Sequence, residues 1–507
     1  MVGVPSRSKA CSTCKRRRKG CDLARPSCSQ CRGLGIECGG YDRDLIFVVS
    51  TLDDRPAGRS YRLEQRNLPP PPSSSQEVTI PPTAGLQQPP SLVRVAYESH
   101  YAGRFWEAYM PRGRPIRPAL VTSYICNWTT LAQRLYDADE ALRFAFLANC
   151  LCHAARRVDG DCEASAPSME VEGRRMYGRA LASLKRSLSR NPESNVAAVI
   201  AAKLLSNFEM FFSSEKQAFL ESRGWEQHHA GETALLVACG PAGCSRGSSH
   251  EIFIDDRVDL LLSAIKARKK SPLSTDEWKT QPWSETPKNL KDVLVDVLIH
   301  MPGLLEEFDH MRLCQDENKK ARRRQRLLAR CSIYQGELQK WKAIVCPAGE
   351  MDVSCLGRAE PTQGNVAIVH GLTLYWTTCI LLYTTQQLAS GPEPVLPAHA
   401  DPAIYIRNIV DTVPLLLRRK AGLYGQHAAI LPLAVALQYA LALGSPMDEL
   451  RERLMGILAE PSGALVRPFL IGYDFNSRES GDLDTMKEKA RQWAGTTWLW
   501  MKLRMMD

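Results

Sequence analysis

The chain has 507 residues, with 65 Lys and Arg against 55 Asp and Glu, and carries a formal net charge of +10. A charged fraction of 24% and a hydrophobic fraction of 44% are typical of a soluble protein, and the length allows a small module with one or two larger domains. The 17 cysteines come without a recognisable secretory signal, which argues against a secreted protein built on disulfides and fits a reducing nucleus or cytosol.

Six of the cysteines form a repeated motif near the start of the chain. The spacing is C-x2-C-x6-C, then a six-residue loop, then C-x2-C-x6-C again. A C-x-x-C pair at the start of a helix directs two thiolates at one centre, and the third cysteine of each half returns the chain to that centre. The six residues are Cys11, Cys14, Cys21, Cys28, Cys31 and Cys38.

This motif predicts a centre of two zinc ions. Zinc prefers four ligands in a tetrahedron, and thiolates suit it. Three cysteines per half leave each zinc one ligand short, unless one cysteine from each half bridges both metals. Cys11 and Cys28, the first of each half, are the expected bridges. The predicted ligand sets are Cys11, Cys14, Cys21 and Cys28 for one zinc, and Cys11, Cys28, Cys31 and Cys38 for the other.

The same segment has almost no apolar residues to form a core. Leu23, Leu34 and Ile36 are most of them. Metal binding is therefore expected to supply the folding energy, and a chelator should unfold the segment. A disulfide knot, a redox C-x-x-C site and a single-zinc ribbon are weaker alternatives, because none of them gives all six cysteines a role in a reducing compartment.

Residues 8–42 resemble the fungal zinc binuclear cluster (Zn2Cys6) family of DNA-binding transcription factors. The resemblance rests on the six cysteines, the basic run Lys15–Lys19, Asp22 after the third cysteine and Pro26 before the fourth. It implies two zinc ions per chain and recognition of CGG triplets in double-stranded DNA.

The charge of the segment favours a phosphate-binding partner. Residues 1–45 carry ten Lys and Arg and four Asp and Glu, a net +6, which two zinc ions and six thiolates reduce to about +4. A short helix from about Ser12 to Lys19 is predicted to hold the basic run and to present it to a major groove.

The resemblance assigns roles to single residues of this run. The base-reading positions, three and four places after the second cysteine, correspond to Arg17 and Arg18. Gly20 stands where the family usually has a basic residue, which predicts weaker or more salt-sensitive binding. The expected phosphate contacts are Lys15, Arg16, Lys19 and Arg32.

A linker is predicted over residues 46–92, after a DNA-binding domain over residues 1–45. It is rich in proline and is expected to be extended, with a β-rich run over residues 45–49 at its start. Residues 40–92 show no sustained heptad repeat. The protein is therefore expected to bind a single CGG-like site as a monomer, or to form a homodimer through its large domain.

Residues 93–507 are predicted to form one all-helical domain, so the fold class is mainly α. Two segments, Val366–Thr385 and Ala428–Leu443, are apolar nearly all round and are interpreted as buried central helices rather than membrane spans. The region resembles the fungal-specific transcription factor regulatory domain. A second basic run, from Lys319 to Arg326, is interpreted as a solvated helix face.

No catalytic motif appears in the sequence, and no enzymatic activity is expected. The pair His228 and His229 is interpreted as surface or core residues, and the run Cys150-x-Cys152-His153 as core residues in an apolar helix.

The expected function is that of a nuclear, sequence-specific DNA-binding regulator of RNA polymerase II genes, with the transcription machinery or coregulators as partners and no membrane association. The target genes could belong to a metabolic or secondary-metabolite cluster. The alternative is a zinc-dependent protein-interaction module or corepressor without specific DNA binding.

Overall fold

Helices account for nearly all of the regular structure that the computed structural model describes. The described residues are 10–24, 27–39, 90–110, 127–156, 166–190, 196–212, 218–346, 363–391, 397–442 and 447–472. Internal contacts divide the chain into two units, Met1–Leu86 and Gln87–Asp507, called here the cysteine unit and the helical unit. No strand occurs in the described residues, and the mainly-α prediction is confirmed.

The described residues of the cysteine unit form two single-turn helices, α1 (Ser12–Arg16) and α2 (Ser29–Gly33). The predicted β-rich run at residues 45–49 and most of the predicted linker lie outside the described residues. The first helix of the helical unit begins at Pro90, within the last residues assigned to the linker. Proline is favoured at the first position of a helix, because its missing N–H has no partner there.

The helical unit contributes sixteen α-helices from its described residues. They are α3 (Pro90–Tyr109), α4 (Asn127–Leu135), α5 (Glu140–Arg156), α6 (Ala166–Arg190), α7 (Val196–Phe212), α8 (Ala218–Gly243), α9 (Gly247–Ala267), α10 (Asp276–Thr280), α11 (Leu290–Leu298), α12 (Met301–Arg312), α13 (Glu317–Val345), α14 (Gln363–Ser390), α15 (Pro402–Leu417), α16 (Gly422–Ala442), α17 (Asp448–Ala459) and α18 (Arg467–Gly472).

Side-chain caps fix where several of these helices begin. Asp401 accepts a hydrogen bond from the Ala403 N–H at 2.9 Å, and Pro402 follows at the first position of α15. Asn289 and Asp292 form a reciprocal capping box at the start of α11. Such caps satisfy amide groups that have no partner within the helix, and each stabilises its helix by about 1 kcal/mol.

The core of the helical unit is built from helices that are buried on almost every face. All residues of α5 from Ala141 to Cys152 are buried except Arg143, so Cys150 and Cys152 are core thiols, as the sequence indicated. Helix α14 includes the stretch Val366–Ser390, which is long and apolar enough to span a membrane. Of its most apolar window, 83% is buried inside the protein, as is typical of a core helix.

Two leucines of α14 give a matched test of this packing. The Leu382 side chain is fully buried, whereas Leu388, less than two turns away, is 55% exposed. We expect Leu382→Ala to lower the free energy of unfolding by about 2–5 kcal/mol, because the truncation leaves a cavity. Leu388→Ala should change it by less than about 0.5 kcal/mol. Urea denaturation followed by circular dichroism measures both, and equal losses would contradict the described burial of α14.

Candidate metal centre and nucleic-acid interface

The two halves of the cysteine motif fold in the same way. Cys11 precedes α1, and its Sγ accepts the backbone N–H of Cys14 at 3.3 Å. Cys28 is the N-cap of α2, and its Sγ accepts the backbone N–H of Cys31 at 3.4 Å. In each half a sulfur takes the place of a capping oxygen at the helix N-terminus, where the helix dipole also favours a negatively charged thiolate.

These turns bring all six sulfurs into two overlapping groups. Within each group the sulfur atoms lie no more than 4.8 Å from one another. A zinc ion with four Zn–S bonds of about 2.3 Å has tetrahedral edges of about 3.8 Å. The Sγ atoms of Cys11 and Cys28, which both groups share, are 3.7 Å apart, and those of Cys14 and Cys28 are 3.6 Å apart. The groups are Cys11, Cys14, Cys21 and Cys28, and Cys11, Cys28, Cys31 and Cys38.

The sulfur distances fit metal coordination and exclude disulfide bonds between these atoms. A disulfide requires about 2.05 Å between sulfurs, and all six thiols are free. Burial and the neighbouring thiols raise the pKa of Cys14 above its ordinary value and that of Cys31 to about 12. A divalent cation supplies the positive charge that allows such crowded thiols to give up their protons.

The apolar side chains among the described residues of the cysteine unit do not form a core. Leu23 is 43% exposed, Leu34 is 55% exposed and Ile36 is 38% exposed, whereas four of the six cysteines are almost completely buried. The sequence indicated that the segment has almost no apolar core, and the exposure of these three side chains agrees with that expectation. The interior of the described cysteine unit consists of sulfur atoms, which leaves metal coordination as the main source of its stability.

Hydrogen bonds connect residues 37–39, which flank and include Cys38, to α1. The Ser12 hydroxyl donates to the Gly39 carbonyl at 2.5 Å, and the Thr13 hydroxyl donates to the Glu37 carbonyl at 3.1 Å. The Gly39 N–H donates to the Thr13 hydroxyl oxygen at 2.9 Å. These contacts hold the segment that carries Cys38 beside α1. The only sequence signal for these contacts was the presence of two small hydroxyl residues inside the first C-x-x-C.

A second set of hydrogen bonds connects the two halves. The Asp22 carboxylate accepts the Ser29 backbone N–H at 3.1 Å and the Ser29 hydroxyl at 2.5 Å. These bonds lower the pKa of Asp22, so the carboxylate stays ionised beside the N-terminus of α2.

Arg32, a predicted phosphate contact, is exposed and donates one hydrogen bond to the Ser27 carbonyl at 2.9 Å.

Helix α1 is shorter than predicted. It ends at Arg16 rather than near Lys19. Arg18 adopts a left-handed conformation with φ of 53°, and the Lys19 N–H donates to the Cys14 carbonyl at 3.1 Å, which closes the helix end. Had the helix continued, Cys21 would lie about 10 Å along its axis from Cys14, too far to share a tetrahedron. The return of the third cysteine therefore forces the turn.

The shortened helix changes where the predicted DNA contacts lie. Arg17 and Arg18 sit in the turn after α1 rather than on its helical face. The side chains from Arg16 to Lys19 are exposed. The Lys15 side chain, Arg25 and Pro26 lie outside what the structure describes. The segment thus exposes four consecutive cations to solvent, shortly after the first C-x-x-C.

Comparison with known proteins identifies the cysteine unit. Residues 9–45 match the fungal Zn(2)-Cys(6) binuclear cluster domain. The N-terminal module is a domain of this family, and domains of this kind bind two zinc ions. The six cysteines of the zinc cluster domain, in two groups of four that share Cys11 and Cys28, have the donor chemistry and the close spacing that two zinc ions require.

One curated relative supports the same identification. A segment of 35 residues is 51% identical to "Transcription factor FUP7" of Fusarium proliferatum (strain ET1). The aligned segment is 7% of this chain and 14% of that protein, so the likeness covers only a short part of either chain. No solved structure matches the chain. The predicted fungal-specific regulatory domain over residues 93–507 stays a prediction.

Because Cys11 and Cys28 belong to both sulfur groups, we expect the six cysteines to differ in their effect on zinc content. Cys28→Ala removes a sulfur from both groups and should release both zinc ions. Cys21→Ala removes a sulfur from one group only and should weaken the binding of one zinc ion. A low concentration of a competing chelator should then remove that ion before the other. Zinc per chain, measured by a colorimetric chelator, checks this order, with Cys314→Ala, outside the cluster, as the control that retains two. Two ions bound to Cys28→Ala would contradict the bridging assignment.

Proposed function

We propose that this protein is a sequence-specific DNA-binding transcription factor that acts in the nucleus on RNA polymerase II genes and binds CGG-like triplets. The observation that carries the proposal is the exposed basic turn from Arg16 to Lys19, set directly on a six-sulfur cluster of the zinc binuclear type. The family of the zinc cluster domain and its transcription-factor relative support this assignment over an enzymatic one.

Arg17 and Arg18 are the proposed base readers. A guanidinium can donate two hydrogen bonds to O6 and N7 of one guanine, and each such pair discriminates against other bases by about 1–3 kcal/mol. Because the turn follows the cluster immediately, both side chains start from a backbone that the sulfur geometry holds. Flexible loops lose more entropy on docking than such a turn does.

The remaining cations are proposed to contact phosphates. Arg16 and Lys19 flank the readers and are exposed, and Arg32 lies on α2. Phosphate contacts fix the register of a module on the duplex without reading its sequence, and they make affinity dependent on salt. Gly20 adds no charge where the family usually has a cation, so binding is proposed to be sensitive to salt. Lys15 completes the proposed phosphate-contacting set.

Oligomeric state and partners are further parts of the proposal. We propose that the protein binds as a monomer to a single triplet, or as a homodimer through the helical unit, and that it engages the transcription machinery or coregulators. Its target genes are proposed to lie in a metabolic or secondary-metabolite gene cluster.

An interaction module without specific DNA binding is the second candidate, and one observation favours it. Leu23, Leu34 and Ile36 are exposed on a very small domain. Exposed apolar side chains of this kind occur at protein–protein contacts.

Selection from random duplexes distinguishes the two candidates. The full-length protein, loaded with zinc, is bound to a random library at fixed, near-physiological salt, and zinc content is measured in the same preparation. Enrichment of CGG with two zinc ions per chain supports the transcription-factor proposal. Two zinc ions without enrichment would favour the interaction module. The number and spacing of enriched triplets report monomer or dimer binding.

Two arginine variants test the assigned roles. Both Arg16 and Arg18 are exposed arginines of the same segment. Arg18→Ala should reduce the preference for CGG over a mutated triplet by about 1–3 kcal/mol, because a base contact is lost. Arg16→Ala should weaken binding to both duplexes equally and lower the salt slope by about one. Competition binding at several salt concentrations measures both quantities, and equal loss of preference would reject Arg18 as the reader.

A further inference from the structure

The helical unit contains a cavity at the meeting point of eight of its helices, α3, α4, α7, α8, α9, α11, α14 and α16. The space open to the centres of water molecules is about 50 Å³. One water needs about 10–15 Å³ by this measure, so the cavity holds roughly three to five water-sized groups. The lining mixes apolar residues with an unusual number of ionisable ones. Those relevant here are Lys203, Asp255, Asp259, Lys291, His370 and His427.

One wall of the cavity is a buried ion cluster. The Lys203 ammonium is 3% exposed, donates to Asp256 at 2.8 Å and also pairs with Asp259. His427 Nε2 lies 3.4 Å from the second oxygen of Asp259. Burial opposes the charge on Asp259, yet the Lys203 ammonium lowers the pKa of this carboxyl below its usual range. Burial of ions costs several kcal/mol each, and well-packed hydrophobic residues of similar volume are often as stabilising or more so. Stability alone therefore does not account for the cluster.

The cavity lining also includes a second lysine, Lys291, which forms no ion pair with any carboxylate in the described residues. Lys291 lies in the first turn of α11, and no carboxylate of the described residues lies within 4 Å of its ammonium. Its charge acts on the same space, since after burial it is the main cause of the lowered pKa of His370. His370 is thus neutral, and its Nδ1 is hydrogen-bonded to the Tyr424 hydroxyl at 2.8 Å. Its other ring nitrogen has no hydrogen-bond partner in the described part of the chain.

The two acidic groups of the lining are already engaged. Asp259 is held by Lys203, and Asp255 accepts the Trp128 backbone N–H at 2.9 Å. Burial raises the pKa of Asp255 to about 7, so this carboxyl does not hold a full negative charge against an anion near neutral pH. A cationic occupant would meet two lysine ammonium groups. The groups suited to holding a metal ion in the described residues are the cysteine sets alone. An anion is therefore the occupant that the lining favours.

We propose that this cavity is a binding site for a small monocarboxylate of about three to five non-hydrogen atoms, whose carboxylate lies between Lys291 and His370. Its short apolar part lies against Ile430 and Leu431 of α16. The site belongs to the helical unit and does not rest on the proposed DNA binding.

Isothermal titration calorimetry of the full-length, zinc-loaded protein tests the site with three probes of one shape. Propionate should bind saturably, whereas propionamide and n-propylammonium, which lack the negative charge, should bind at least tenfold more weakly. Equal affinity for the three probes, or no saturable binding of propionate, overturns the proposal. This comparison uses the unaltered protein, so it does not depend on the folding of any variant.

Two lysine variants locate the binding. Lys291→Gln should weaken propionate binding at least tenfold, while Lys319→Gln, at an exposed position of α13, should leave it unchanged. Circular dichroism and the zinc content of each variant show whether it is folded. Equal weakening by both substitutions would mean that propionate responds to the overall charge of the protein, and would reject the cavity as the site.

Discussion

Six sulfur atoms that must reach two common centres are the constraint on which the cysteine unit depends. The Sγ atoms of Cys11 and Cys28 lie 3.7 Å apart and belong to both groups. These two shared sulfurs therefore hold the two halves of the motif together. Among the described residues of this unit no apolar core competes with the arrangement, because Leu23, Leu34 and Ile36 are exposed. The hydrogen bonds from Ser12, Thr13 and Asp22 then fasten the remaining backbone to the sulfur frame.

The same constraint shapes the proposed DNA-binding surface. Cys21 has to return to the sulfur cluster, so α1 is closed after Arg16 and Arg18 takes a left-handed conformation. A left-handed arginine costs about 1 kcal/mol relative to a right-handed one. Coordination of two metal ions exceeds that cost many times over. The backbone of the basic segment is thereby constrained while its side chains stay exposed to solvent, an arrangement that suits contact with a duplex.

The helical unit follows a different principle. Its helices are held by apolar packing on nearly every face, as in α5 and α14, and caps such as Asp401 fix their ends. Within that apolar surrounding lies a buried ion cluster, in which Lys203 pairs with Asp256 and Asp259. A buried ion cluster beside a cavity contributes less to stability than hydrophobic side chains would, and such clusters concentrate at ligand sites. The proposed carboxylate site gives this region a role.

The sequence by itself determined the fold class, the zinc chemistry of the first module and the identity of its six cysteines, because ligand spacing and hydrophobic periodicity are local properties of the chain. Tertiary structure decided where α1 ends, since that depends on the closure of the sulfur cluster. It also decided that Lys203, Asp259 and His427, which come from three helices far apart in sequence, meet beside one cavity. His229 read alone was only a core or surface residue, and its place in the cavity wall became visible with the packing of eight helices. Periodicity indicates which face of a helix is buried, whereas the partner of that face is set by how all the helices pack together.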